Sequence, residues 1–151
     1  MAENKMIKIL TGVITFLLIL ITSILVIIIV VPIGLIRFIP YKPLQMLILK
    51  INESLGELFL ASWKAIQNLM HRPKYVVHGG EKLKKGIWQF TTINHLSWAD
   101  IFLFLYFTNY KMGVPKIFMK AELWWLPITW AANIGLAMPF VVRRSKEAIK
   151  A

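Results

Sequence analysis

His95 and Asp100 are the residues best suited to proton chemistry. They stand five apart in Thr92–Ile93–Asn94–His95–Leu96–Ser97–Trp98–Ala99–Asp100–Ile101, and Asp100 is the only aspartate in the chain. A neutral imidazole titrates near neutrality and can take a proton from an alcohol. A carboxylate on its other nitrogen orients the ring and stabilises the imidazolium. A strand-to-helix turn between the two would let the carboxylate fold back onto the ring. The same stretch supports a second role, because Ser97-x-x-Asp100 before an apolar run is also the pattern of a helix N-terminal cap. In that role Ser97 caps the helix, Asp100 meets its dipole and His95 is a turn residue. Both roles can hold together, since a cap also places Asp100. A serine nucleophile fits poorly. Ser97 lacks a G-x-S-x-G elbow, and His95 and Ser97 are too close in sequence for triad geometry.

The elements that would position this turn follow from the pattern around it. Gly86 opens the β-branched and aromatic run Ile87–Trp88–Gln89–Phe90–Thr91–Thr92–Ile93, which reads as a strand ending at Asn94. A helix is expected from Trp98 to about Phe107. Tyr75–Val77 reads as a short strand, Gly79–Gly80 as a turn and Glu81–Lys85 as charged surface. Lys111–Pro115 reads as a loop, Ile117–Met119 as a strand and Met138–Val142 as another. Strand and helix alternating in this way predict an α/β domain over residues 72–151. Leu123–Val142 is free of charge, but Pro127, Asn133, Gly135 and Pro139 would leave backbone groups unpaired in lipid. It is expected to be buried or interfacial structure in that domain.

The rest of the chain predicts a membrane attachment. Of 151 residues, 58% are apolar and 17% charged, too apolar for a disordered chain or an ordinary soluble domain. After a tail at 1–8, no charge interrupts Ile9–Ile36, long enough for a transmembrane helix over 9–36. Thr11, Thr15, Thr22 and Ser23 can bond to the helix's own backbone, while Pro32 and Gly34 should weaken its C-terminal end. Residues 43–70 carry apolar side chains at helical spacing and read as an amphipathic, interfacial helical segment. Gly56 and Asn52 count against its being unbroken. Lys5 and Lys8 precede the apolar run, and Arg37, Lys42, Lys50 and further cations follow it. By the positive-inside rule this predicts a single-pass protein of the inner or another cellular membrane, with its C-terminal domain in the cytoplasm.

The formal charge of +11 suits an anionic surface. Nucleic acid is excluded as a partner, because the aromatics sit in apolar runs beside an anchor instead of among the cations. Without cysteine the chain has no disulfide, no thiol nucleophile and no Cys-bound zinc. His71 and His78 lack partners at metal spacing, so no metal is expected.

Asn94–His95–Leu96–Ser97–Trp98–Ala99–Asp100 resembles the N-H-x-S-x-x-D block of the glycerolipid acyltransferases, the lysophosphatidic acid acyltransferase family. Lys120-x-Glu122-Leu123-x-Trp125-x-Pro127 and Gly135…Met138–Pro139–Phe140–Val141–Val142–Arg143–Arg144 are similar to later family blocks in order and spacing. Met138–Pro139–Phe140 and the double arginine resemble a bacterial membrane-bound branch. The resemblance covers about Tyr75–Lys146. It implies that His95 deprotonates a lysophospholipid hydroxyl, which attacks the thioester of acyl-CoA or acyl carrier protein directly. Asp100 would orient His95, Arg143 or Arg144 would bind an anionic head group, and Asn94 and Ser97 would shape the motif. From the residues alone, Arg143 and Arg144 also fit a solvated basic end. No cofactor is implied beyond the acyl donor. The family's third block, of F-P-E-G-T-R type, does not occur before Ala151. The expected fold is therefore an N-terminal transmembrane helix followed by an incomplete acyltransferase-like α/β domain. The 151-residue form is expected to turn over little. The alternative is an inactive relative that binds lipid or a partner.

Overall fold

The structure is a computed structural model that describes residues 2–71, 74–94 and 96–142. It corrects the expected α/β class, for the described residues are mostly helical and hold one two-stranded sheet. Among the described residues four α-helices run over Ala2–Ile36 (α1), Lys42–Met70 (α2), Trp98–Met112 (α3) and Pro127–Leu136 (α4). The strands Met119–Lys120 (β1) and Phe140–Val141 (β2) pair in parallel, Met119 with Phe140 and Lys120 with Val141. A 3-10 turn over Ala121–Trp125 and then α4 connect them. The expected strands at 75–77 and 87–93 do not form. A strand exists only through a neighbour's N–H and C=O groups, and among the described residues neither segment has one. Val76, Trp88 and Phe90 are accordingly exposed. The expected strands at 117–119 and 138–142 shrink to the two-residue pair.

From Ile9 on, the apolar character of α1 is broken by no charge, and its hydroxyl groups are absorbed locally. Thr11 Oγ1 donates to Ile7 O, Thr15 Oγ1 to Thr11 O, Thr22 Oγ1 to Leu18 O and Ser23 Oγ to Ile19 O. Pro32 lies inside the helix, which runs on to Ile36. It ends in tight turns, with Arg37 N bonded to Gly34 O and Phe38 N to Leu35 O. Lys5–Ile36 is the one described helix long and apolar enough to cross a membrane. The run at 123–142 is instead broken into the 3-10 turn, α4 and β2.

Two compact units divide the chain, one from Met1–Val26 and Ser54–Pro115, the other from Ile27–Glu53 and Lys116–Ala151. In the first, Trp63 lies against Phe59 and Phe102, with ring centroids 4.9 and 4.6 Å apart. Tyr75 meets Tyr106 and Phe107 in the same way. Lys85 pairs with Glu57 at 2.8 Å, and Lys111 Nζ donates to Gly80 O. Thr15 Oγ1 lies 2.9 Å from His71 Nε2. Thr15 Oγ1 accepts from Nε2–H in one imidazole tautomer and donates to the bare Nε2 in the other.

The second unit is built on close backbone approach. Val30 and Val31 of α1, Ile48 of α2, and Ala131, Ile134 and Met138 are buried. Asn52 of α2 is wholly buried, and its Nδ2 donates to Val30 O at 3.2 Å and Gly135 O at 3.1 Å, tying α1, α2 and α4 together. A Cβ on Gly34 would stand 2.8 Å from Ile134 O, and one on Gly135 would fall into Val30 Cγ1. Only glycine lets α1 and α4 come this close. Lys116 Nζ bonds Glu53 Oε1 and Leu136 O. At the end of α4 Ala137 takes the left-handed conformation, φ 54°, and its N–H donates to Asn133 O, a helix stop usually given to glycine.

Candidate active-site turn

Ser97 directly precedes α3, and Asp100 stands in its first turn. The first N–H groups of a helix have no partner within it. Asp100 supplies one from the side chain. Its Oδ2 accepts from Leu96 N and from Ser97 N, both at 2.7 Å, while Asp100 N donates to Ser97 O at 3.1 Å. This is the carboxylate half of a capping box, extended by one residue. Short N–H···O⁻ bonds of this kind are charge-assisted, and the positive end of the helix dipole adds to them. The carboxylate is thereby curled back across the turn, with its oxygen held on the residue that follows position 95.

His95 itself lies outside the described residues, as do Arg143 and Arg144. Asn94 is exposed and belongs to no helix or strand. Ser97 is also exposed, and its backbone, through N–H and C=O, makes the bonds given above. Chemically, a curled carboxylate at a helix start can fix the tautomer of an imidazole set just before the turn.

Comparison with known protein families, curated proteins and solved structures gives no match. The reading of this turn rests on its own residues and geometry. Among the described residues no three His, Asp or Glu side chains are grouped as a metal ion would require.

Two features of the second unit were not visible as special in the sequence. Asn52 reads there as a residue that disfavours an unbroken helix, yet it is the polar tie of a core. Its signal was its spacing of four from Ile48 and eight from Leu60, which puts it on one helix face with two apolar residues that are buried, where an amide must find partners. Gly34 and Gly135 gave no comparable signal, because their pairing joins positions a hundred residues apart.

Proposed function

We propose that the chain is a membrane-attached acyltransferase acting on a lysophospholipid hydroxyl. The single observation that carries the reading is the Asp100 carboxylate, folded back over Leu96 and Ser97 next to position 95. A base at His95 would take the acceptor's proton while its oxygen forms a bond to the acyl carbon. The C–S bond of acyl-CoA or acyl carrier protein breaks, and the thiol leaves with the proton His95 returns. Arg143 or Arg144 would pair with the acceptor phosphate, as a guanidinium suits that group. The helix Lys5–Ile36 supports attachment to the membrane that holds the acceptor. The cations that follow at once, Arg37, Lys42 and Lys50, support a cytoplasmic position for the C-terminal end of that helix.

The test is transfer from acyl-CoA or acyl carrier protein to lysophosphatidic acid by membranes carrying the chain from its full reading frame. Diacyl product should form, and His95→Ala should abolish it. Product that is indifferent to His95→Ala would refute the mechanism. A second reading is favoured by the same two bonds at Asp100, which satisfy a helix cap without any catalysis. In that reading the chain is an inactive lipid- or partner-binding membrane protein, and neither donor yields product.

A further inference from the structure

We propose that the 3-10 turn and α4, residues 121–136, form a membrane-contact element. It sits at the boundary between phospholipid head groups and acyl chains, at a depth fixed by α1. The proposal is independent of the catalytic reading.

Three observations in the second unit lead to it. The first is the packing of α4 on α1. Gly135 lies against Val30, and Ile134 and Gly135 lie against Gly34. Both α1 residues are within the charge-free run Ile9–Ile36, so whatever surrounds α1 there also reaches α4. The second is the level of this contact. Arg37 is the first charge after the run, and its Nη2 lies 3.5 Å from Asn133 O of α4. At about 1.5 Å per residue, Gly34 is about 5 Å and Val30 about 10 Å along the helix from Arg37. Interfacial elements bury their apolar face about 5–10 Å into the head-group and acyl boundary. The third is the surface α4 and its approach present. Trp124, Trp125, Ile128 and Trp130 are exposed, Trp124 and Trp125 by 67% each, and past the exposed Glu122 at its start no charge occurs to Val142. Tryptophan is the residue enriched at this boundary, with an apolar body and an N–H for the wet side. A protein partner would also cover tryptophan, but it would not explain the contact with a lipid-length apolar helix at this level. At about 15 Å, the ten-residue α4 is too short to cross a bilayer core of about 30 Å.

The chain has no cysteine, so a single one can be labelled without background. Ile128→Cys, at a position 42% exposed, is labelled with an environment-sensitive fluorophore in the full chain. The protein is reconstituted in phosphatidylcholine–phosphatidylglycerol vesicles whose acyl chains carry bromine near the head group or near the bilayer centre. Glu81→Cys, on exposed charged surface, is the reference. At 128 the shallow bromine should quench several-fold more than aqueous iodide or deep bromine, and at 81 iodide should dominate. Iodide quenching at 128 with none from brominated lipid would point to a protein partner or bare surface and overturn the proposal. Stronger quenching by deep bromine would overturn the assigned depth. Gly34→Leu, placed against the Ile134 backbone, should push α4 off α1 and lower shallow quenching at 128. Unchanged quenching there would show that α1 does not set the depth.

Discussion

Replacing Gly135 by alanine should change stability with opposite sign in two backgrounds. A Cβ at this position falls into Val30 Cγ1, whereas Val30 Cβ and Asn52 Nδ2, both at 3.6 Å, are ordinary contacts. The obstacle is thus one methyl group. That methyl cannot step aside cheaply, because valine in a helix is held in one χ1 rotamer and Val30 is buried. If α4 shifts instead, the Asn52–Gly135 bond stretches. Overpacking of this kind costs about 1–3 kcal/mol. Alanine's better helix propensity returns at most about 1 kcal/mol, less near a helix end. With Val30 in place, Gly135→Ala should therefore destabilise by about 1–2 kcal/mol. Val30→Ala alone loses two buried methyls and about 1–3 kcal/mol. In that background the clash is gone and only the propensity gain remains, so Gly135→Ala should be neutral to stabilising by up to about 1 kcal/mol. Thermal or guanidinium unfolding of the four proteins at one fixed detergent concentration, followed by circular dichroism, reads the cycle. Destabilisation by Gly135→Ala of equal size with and without the Val30 methyls would refute the packing of α4 on α1.

Two further outcomes follow from single contacts. Asp100→Ala should lose about 1–2 kcal/mol, because Leu96 N and Ser97 N lose their common acceptor, while Asp100→Asn, which keeps an oxygen, should lose less. If acyl transfer falls by orders of magnitude in Asp100→Asn while amide exchange at the start of α3 is nearly unchanged, the carboxylate does more than cap. Lys116→Met should cost no more than about 1 kcal/mol, since the Glu53 pair is over a third exposed on both sides and screened by solvent. Because Lys116 also bonds Leu136 O, raising salt in the unmodified protein should remove only part of that loss, as judged by unfolding midpoints at low and high salt.

What could be read from the sequence was what residues settle with their near neighbours. The charge-free run and the threonine back-bonds of α1 are local, as are the 3.6 period of α2 and the S-x-x-D start of α3, and these elements formed. α2 spans the Gly56 and Asn52 positions that counted against it, since Gly56 and Asn52 are both buried and so held by packing. The strands at 75–77 and 87–93 failed because β-branched and aromatic content marks a segment able to pair and does not supply the partner. At the candidate site, the cap role of Asp100 was legible for the same local reason. The link from Asp100 to His95, and the reach of Arg143 and Arg144 to a head group, depend on residues beyond the described ones.

The bond between Thr15 and His71 has a consequence for sidedness. Two groups 2.9 Å apart share one depth in any bilayer. Thr15 is seven residues beyond Lys8, about 10 Å along α1. Lys74 is three residues beyond His71, a reach of about 10 Å even for extended chain. From that depth the near surface is within reach of Lys74, and the far surface of a core about 30 Å thick is not. For a bilayer surrounding α1, the bond thus calls for an even number of crossings between Lys8 and Lys74, zero included, with both lysines at one leaflet. Equal access of an impermeant thiol reagent to Lys8→Cys and Lys74→Cys in sealed vesicles would show it, and labelling of only one would break the bond's claim on the membrane-bound state.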